Sequence, residues 1–318
     1  MHIKTGLLVL SALVTALFGV TPASAADSVR LLTARPGWQM ISPWYAKDLG
    51  LFAKHNIDIK HTALDSSSSV MEAFVSGQGD MALVNVGTAV NAYFRGVPLR
   101  VLAGTPGSDY PIIAANASIK TLADIKGKKI AIWSVPNDAS LAFDKTMKAK
   151  GLTAGTDYTY VRVPVQNICD TVKRNQADIG LLFEPYASYC LLNGAHRIAP
   201  VGSASFDPPK LVASSVVIVN ADFLKKNPEA VKNALAALND SVVWAKSHKK
   251  EAVASLAKYS GQPADAVALS YDTVNFDLSI DRGYHDILLK RYLEAGMIKK
   301  APSESDLKTL YQTGLLKR

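Results

Sequence analysis

The chain has 318 residues and a formal charge of +8 at pH 7, with 35 Lys and Arg against 27 Asp and Glu. This balance favours anionic ligands or surfaces. The lysines are spread over polar helical faces such as KSHKKEAV, and zinc-finger spacing, arginine-rich tracts and aromatic-basic alternation are absent, so the composition argues against nucleic acid as a partner.

The first 25 residues predict a secretory signal peptide. A short basic start, MHIK, precedes the apolar run GLLVLSALVTALFGV and the small-residue exit TPASAAD, in which Ala23 and Ala25 occupy the positions that a signal peptidase recognises. A membrane anchor is the alternative, but Pro22 interrupts the run before it reaches the ~20 apolar residues of a spanning helix. We expect cleavage after Ala25 and export. No cysteine lies near this site for lipid attachment.

The first half of the mature chain alternates strands and helices. SVRLLTA is a predicted strand, and Ser42-Pro43 begins the helix WYAKDLGLFAKH. IDIKHTAL, MALVNV and LRVLAG are further strands, separated by the helices VMEAFVSG, whose Val70, Met71, Phe74 and Val75 we place on one buried face, and TAVNAYFRG. Strands separated by helices of this length predict a parallel sheet with right-handed crossovers.

The second half repeats the same order of elements. KKIAIWSVPND is a strand and loop, LAFDKTMKAKG a helix, YTYVRVPV a strand, NICDTVKRN a helix, and DIGLLF a strand. Gln78 and Asp80, before one strand, recur as Gln176 and Asp178 before another. Since roughly 290 mature residues at ~150 per domain suggest two units, we predict two α/β lobes built alike. The repeated motif is then the helix-to-strand turn that leads to each lobe's third ligand-side loop.

The C-terminal third and the cysteines are read as structural. Asn227-Pro228 opens a helix whose apolar residues Val231, Leu235, Leu238 and Val242 recur at helical spacing and predict packing. Cys169 and Cys190 form either a disulfide of an exported protein or two buried free thiols, and spacing alone leaves both open.

Ligands of open parallel sheets bind beyond the carboxyl ends of the strands, where helix N-termini offer free N–H groups. Two lobes that face each other with these ends would enclose a small molecule. The candidate loops are 36–40, 65–69, 85–88, 134–140 and 184–186. From them we predict these ligand contacts: Gly37, Trp38, Gln39, Ser66, Ser67, Ser68, Asn85, Thr88, Ser134, Asn137, Glu184 and Tyr186.

Roles within this set differ. We interpret Trp38 as stacking on the ligand or closing the apolar wall of the cleft, with surface packing as the alternative, and expect Trp133 to project from the other lobe. Ser66 to Ser68 could donate to an oxyanion, although one of them caps a helix. Asn137 could simply cap, and Glu184 could bind an amine or latch the closed lobes. Trp44 and Trp244 are expected in the core.

Five segments in chain order resemble motifs of the sulfonate, nitrate, taurine and thiamine-precursor binding proteins of ABC importers. They are WYAKDLGLFAKHNIDIK, VMEAFVSGQGDMALVN, GVPLRVLAG, IKTLADIKGKKIAI and DIGLLFEPYA. The resemblance extends from about Val29 to about Tyr271. It implies a two-lobed, type II-like periplasmic clamshell, each lobe a parallel-rich sheet flanked by helices. Lobe I would comprise 26–107 and 213–318, and lobe II 108–212, with crossings near 105–110 and 208–214.

By this resemblance the chain is a monomeric periplasmic receptor that captures a small organic anion, such as a sulfonate or an aromatic or heteroaromatic carboxylate, and delivers it to an inner-membrane permease. It is not expected to be an enzyme, and no cofactor or metal is expected: the phosphate-loop, HExxH and G-x-S-x-G motifs are absent. The alternatives are an enzyme of the same fold, either a pyrimidine-precursor synthase or a desulfinase, and an extracytoplasmic sensor.

Overall fold

The structure is a computed structural model that describes residues 27–108, 110–198 and 214–316. The predicted signal peptide, 1–25, lies outside the described residues, as do Asp109 in the first predicted crossing and 199–213, which include most of the second. The predicted lobe boundaries at 107/108 and 212/213 therefore stay predictions. No helix within the described ranges combines the length and apolar character needed to cross a membrane.

The strands carry the two main sheets and one small ribbon. They are β1 (Asp27–Thr33), β2 (Ile57–Ala63), β3 (Met81–Asn85), β4 (Leu99–Gly104), β5 (Gly107–Ser108), β6 (Ile112–Ala114), β7 (Lys128–Ile132), β8 (Tyr158–Arg162), β9 (Ile179–Leu181), β10 (His196–Arg197), β11 (Ser215–Asn220) and β12 (Val274–Asn275).

The helices flank the sheets and continue through the C-terminal third. They are α1 (Ser42–Asp48), α2 (Leu51–Lys54), α3 (Ser67–Val75), α4 (Val86–Phe94), α5 (Asp138–Lys148), α6 (Ile168–Lys173), α7 (Tyr186–Leu192), α8 (Ala221–Lys226), α9 (Pro228–Ser247), α10 (Lys249–Ser260), α11 (Ala264–Tyr271), α12 (Arg282–Glu294) and α13 (Glu304–Leu310).

Each main sheet organises one lobe. Lobe I contains the order β2-β1-β3-β11-β4, in which β1 pairs in parallel with β2 and β3, and lobe II contains β10-β6-β9-β7-β8, in which β7 pairs in parallel with β8 and β9. After β4 the chain passes into lobe II and returns as β11, which is antiparallel to both β3 and β4. The predicted two-lobed α/β fold with parallel-rich sheets is confirmed, with an antiparallel return strand that the alternating pattern did not predict.

The repeated motif makes the same local structure in both lobes. In lobe I the Asp80 amide donates to the Arg30 carbonyl at 2.8 Å, and the Arg30 amide donates back to Asp80 Oδ2 at 2.9 Å. In lobe II Asp178 and Lys129 exchange the same two bonds at 2.9 and 2.8 Å. Each aspartate thus fastens the start of β3 or β9 to the neighbouring strand.

The helices follow the predicted apolar pattern, except that one predicted buried side chain is exposed and one predicted helix is divided into two. The four predicted packing residues of α9 are buried, and so is Trp44. Val75, predicted on the same face of α3 as Val70, Met71 and Phe74, is the last residue of the helix and is 58% exposed. The helix predicted from Ser42 is divided into α1 and α2 at Gly50, whose φ of 65° is left-handed and suits glycine.

The two cysteines are free and buried in the core of lobe II. Cys169 lies on α6 and Cys190 on α7, in one cluster of buried apolar side chains. Of the two possibilities left open by the spacing, the structure contains the buried thiols.

Candidate functional site

Loops that follow the strands of the two lobes meet at the lobe boundary. Gly37, after β1 in lobe I, lies against Phe183, after β9 in lobe II: a Cβ added to Gly37 would be 3.0 Å from the Phe183 ring. A larger residue at position 37 would therefore require the Phe183 ring to shift. This contact brings the carboxyl ends of the two sheets together, where open α/β sheets bind ligands.

Trp38 does not line this boundary. Its side chain is fully buried, its Nε1 donates to Ser270 Oγ at 2.8 Å, and Tyr271 and Phe276 pack edge-on against it with centroids 5.7 and 5.6 Å away. The interpretation of Trp38 as a stacking surface for ligand is contradicted, because α11 and the segment after it cover the ring. The sequence could not predict this cover, which comes from residues more than 200 positions away.

Gln39 links the first loop to the segment that leads into lobe II. It is 5% exposed, and its Nε2 donates to Ser108 Oγ at 2.6 Å. Ser108 belongs to β5, which pairs with β12 of lobe I. The Gln39 side chain thus attaches the segment that crosses between the lobes to lobe I. Its role in ligand binding stays a prediction.

The serines at the start of α3 divide their roles. Ser66 is the N-cap, accepting from the Ser69 amide at 3.1 Å, as expected for one serine of this run. Ser67 donates to Asn85 Oδ1 at 2.5 Å, which joins the loops after β2 and β3. Ser68 is exposed. The structure therefore places these polar groups beside one another on lobe I.

Asn85 and Thr88 lie at the start of α4 and are both partly buried. Asn85 is the N-cap position of α4 but makes no side-chain capping bond, because its oxygen accepts from Ser67. The Val86 amide, the first of α4, donates to the Ser214 carbonyl at 3.0 Å. The amides that follow in this turn receive no capping bond from Asn85, and amides at a helix start suit a ligand oxygen.

In lobe II, Asn137 is a helix cap. Its Oδ1 accepts from the Ser140 backbone amide at 2.8 Å, and its own backbone amide donates to Ser140 Oγ at 2.9 Å. Its Nδ2 donates to the Ser134 carbonyl at 2.7 Å. Asn137 thus fixes the loop before α5. The Ser134 side chain is partly buried, and its role as a ligand contact stays a prediction.

The Glu184 carboxylate accepts hydrogen bonds from residues of lobe II. The fully buried carboxylate accepts from Arg197 at 2.5 Å and from the Ser188 amide at 2.9 Å. Burial raises the pKa of Glu184, although the Arg197 charge and these hydrogen bonds oppose the increase. Since both partners belong to lobe II, the structure contradicts the interpretation of Glu184 as a latch between lobes.

Aromatic rings form a wall at the lobe boundary. Trp133, directly after β7, stacks on Tyr110 with centroids 5.9 Å apart and packs edge-on against Phe183 at 5.0 Å. Tyr186 packs edge-on against the other side of Phe183 at 5.2 Å, and burial raises the pKa of its hydroxyl. Tyr110 also lies 2.5 Å from Ser214 Oγ, so this bond joins the two crossing segments.

Asp138 is a buried acid at this boundary that the candidate set does not contain. It is 3% exposed, and its Oδ1 accepts a hydrogen bond from the hydroxyl of Tyr292, which belongs to lobe I. Within the described part of the chain, Oδ2 has no hydrogen-bond partner. Burial raises the pKa of Asp138 to about 6, against the Tyr292 hydrogen bond and the Arg291 charge, which lower it.

The sequence offered only a weak signal for this acid. An aspartate in the first turn of a helix is ordinarily explained by capping and the helix dipole. Its partner lies 154 positions away on α12, which periodicity alone describes as a packing helix. Among the residues that the structure describes, no group of three His, Cys, Asp or Glu side chains is arranged to hold a metal ion.

Curated proteins resemble this chain at modest identity. It is 25% identical over 167 residues to an aliphatic sulfonates-binding protein of Escherichia coli strain K12. That alignment covers 52% of this chain and 50% of the relative. It is 26% identical over 226 residues to 4-amino-5-hydroxymethyl-2-methylpyrimidine phosphate synthase THI11 of Saccharomyces cerevisiae, covering 65% and 64% of the two chains. The alignments thus span only half to just under two thirds of these relatives.

Solved structures share the fold over nearly the whole chain. The periplasmic aliphatic sulphonate binding protein SsuA from Escherichia coli superposes with a TM-score of 0.75 at 19% identity, covering 92% of this chain and 94% of that one. The periplasmic nitrate-binding protein NrtA from Synechocystis PCC 6803 gives a TM-score of 0.75 at 15% identity, with 91% and 87% covered. The NMT1/THI5 like family matches residues 39–252, more than half of the chain, and the chain belongs to that family.

Proposed function

We propose that this chain is the solute-binding receptor of an ABC importer, exported to the periplasm, which encloses a small organic solute between its lobes and delivers it to an inner-membrane permease. Relatives and structural neighbours named as sulfonate- and nitrate-binding proteins support this function. The observation that carries it is the meeting of ligand-side loops from both sheets, at Gly37 and Phe183.

The proposed binding surface combines polar and aromatic parts. Lobe I supplies Ser67, Ser68, Asn85 and Thr88 at the starts of α3 and α4, where hydroxyls and helix amides suit an acidic oxygen. Lobe II supplies Ser134 and the aromatic wall. This combination suits a small organic anion with a planar body, such as an aromatic carboxylate or sulfonate.

An enzyme of the same fold is the second candidate, because relatives at 26% identity are named as synthases. The two functions differ in what happens to the bound molecule. A receptor releases its solute unchanged, whereas an enzyme converts it. Mass spectrometry of a bound compound after prolonged incubation and denaturation separates them: recovery of the intact compound supports the receptor, and a product supports the enzyme.

Small-angle scattering tests the receptor function. A thermal-shift panel of small carboxylates, sulfonates, amines and amino acids first selects compounds that raise the melting temperature, as binding to the folded state requires. Saturation with a selected compound should then compact the protein or fix it in one compact state, because closure encloses the solute. If no compound in such a panel raises the melting temperature or alters the scattering, the proposed function is wrong.

A further inference from the structure

The Asp138 carboxylate is buried with only one of its two oxygens hydrogen-bonded by a described residue. Oδ1 accepts from Tyr292, and Oδ2 is inaccessible to solvent without such a bond. A buried carboxylate ordinarily accepts several hydrogen bonds, since an unsatisfied charged oxygen costs more than a neutral one. One oxygen of this buried carboxylate therefore has no donor among the described residues.

The charges around Asp138 do not remove this deficit. Arg291 and Tyr292 on α12 both favour the ionised acid, yet burial outweighs them and the pKa of Asp138 rises to about 6. Burial, and next the Asp138 charge, raise the pKa of the Tyr110 and Tyr284 phenols. An additional cation or N–H donor would stabilise the ionised form.

Asp138 lies where the two lobes meet. It is the first residue of α5, and it follows the loop that begins with Trp133 at the end of β7. Tyr292, its partner, packs against the first turn of α4 in lobe I, where a Cβ added to Gly87 would lie 3.1 Å from the Tyr292 ring. The acid thus lies between the helix starts of the two lobes, beside the aromatic wall.

We propose that Asp138 binds the solute directly, accepting a hydrogen bond on Oδ2 from a protonated amine or another N–H group of a small molecule with a planar apolar body. This inference rests on the proposed function and narrows its substrate class to planar solutes that carry an amine or another N–H group, with or without the acidic group. The acidic group, where the solute has one, would contact the serines of lobe I.

Three matched probes test the charge of the solute. Benzylamine, benzyl alcohol and benzoate share a ring and differ in the group offered to Asp138. Calorimetric titration at pH 7.5 should show benzylamine binding roughly 10- to 100-fold more tightly than benzyl alcohol, as expected for a charge-assisted hydrogen bond. Benzylamine that binds no more tightly than either analogue overturns the proposal.

The pH dependence gives a second measurement on the unaltered protein. Benzylamine needs ionised Asp138, so its association constant should rise about tenfold per pH unit below a pKa near 6 and level off above it. An anion that accepts a hydrogen bond from protonated Asp138 would show the opposite slope. Tighter binding of benzylamine at lower pH therefore contradicts the proposal.

Asp138→Asn, with Asp144→Asn as its control, separates a direct contact between Asp138 and the amine from the loss of one negative charge on α5. Asp144 lies on the same helix and accepts from the hydroxyls of Tyr158 and Tyr160 at 2.7 Å within lobe II. Asp138→Asn should weaken benzylamine binding roughly 10- to 100-fold, and Asp144→Asn should leave it within about twofold. Equal losses in both variants overturn the assignment.

The failures of the two proposals are distinguishable. If benzoate binds, compacts the protein and does not require Asp138, then the receptor function stands and the assignment of Asp138 falls. If benzylamine binds through Asp138 but leaves the scattering unchanged and is recovered as a product, then the contact stands and the receptor function falls.

Discussion

Trp38 is held on several sides by lobe I. Its indole donates to Ser270, and two further aromatic rings pack edge-on against it in a core with no solvent exposure. Trp38→Ala should therefore lower the free energy of unfolding by about 3 to 5 kcal/mol through the cavity that it leaves. Urea unfolding measures this loss. Trp133→Ala is the comparison: it should cost less stability, because Trp133 is only partly buried. A Trp38→Ala variant that unfolds at the same urea concentration as the wild type would contradict the placement of Trp38 in the core.

Asp138 makes stability depend on pH in a direction unusual for a carboxyl. Its pKa rises from an ordinary 3.8 to about 6 on folding, so the folded state binds the proton more tightly between these values. The resulting stability is fully present below pH 4 and is lost as pH rises through about 6. The free energy of unfolding of the wild type should fall relative to Asp138→Asn by on the order of 2 to 3 kcal/mol over this range.

Other carboxyls also make stability depend on pH. Hydrogen bonds from the Lys120 and Thr121 backbone amides and the Thr121 hydroxyl lower the pKa of Asp124, and hydrogen bonds from the Ser303 side chain and backbone lower the pKa of Asp306. Comparing wild type with Asp138→Asn isolates the effect of Asp138, because Asp124 and Asp306 contribute equally to both proteins. Urea unfolding at pH values from 4 to 8 provides the difference curve. A difference that stays constant with pH would mean that Asp138 titrates normally and is not stressed by burial.

The individual residues illustrate what local pattern can predict. Ser66 as a cap and Trp44 as core follow from helix chemistry and apolar spacing, and both are found. The surroundings of Trp38 and Asp138 are formed by α11 and α12, so their burial depends on contacts across more than 150 positions. Sequence patterns within one element contain no information on such contacts.

At the level of elements, the turn that precedes β3 and β9 fastens neighbouring strands in both lobes, but its aspartate makes more bonds in lobe I than in lobe II. Asp80 accepts from the Arg30 amide, and also from the Arg30 guanidinium at 2.6 and 3.0 Å. Asp178 accepts from the Lys129 amide, and the ion pair it makes with a described residue is the longer one to Lys128 Nζ at 4.0 Å. Asp80→Ala should therefore cost about 2 to 4 kcal/mol of unfolding free energy and Asp178→Ala about 1. Urea unfolding of both variants compares the turns directly. Equal costs would mean that the guanidinium contributes nothing.

Strand and helix order was predictable because each lobe alternates short apolar strands with amphipathic helices. The main departure is β11, whose residues Val216 to Val219 are fully buried between β3 and β4. An apolar run of this kind fits a parallel or an antiparallel central strand equally well. Its direction is set by the return of the chain from lobe II, which is a property of the whole topology.

For the whole molecule, the two lobes could be predicted from the repeated element order, and the contacts between them could not. Gly37 meets Phe183 and Asp138 meets Tyr292, and each pair joins residues of different lobes. The relative position of two lobes depends on a small difference in free energy between open and closed states. Single contacts at the boundary can therefore change it measurably.

Tyr292→Phe tests whether the hydrogen bond to Asp138 holds the lobes closed. The substitution keeps the ring in its fully buried position but leaves both carboxylate oxygens of Asp138 without that donor, a cost relieved when opening admits water. Loss of a charge-assisted bond of about 1.5 to 3 kcal/mol shifts the equilibrium roughly 10- to 100-fold towards the open state. Small-angle scattering of the ligand-free variant should give a larger radius of gyration than the wild type. Tyr45→Phe is the control, because its hydroxyl donates to the Ala252 carbonyl at 2.8 Å within lobe I, and its loss should leave the radius unchanged. Identical scattering from wild type and Tyr292→Phe would show that the bond follows closure and does not maintain it.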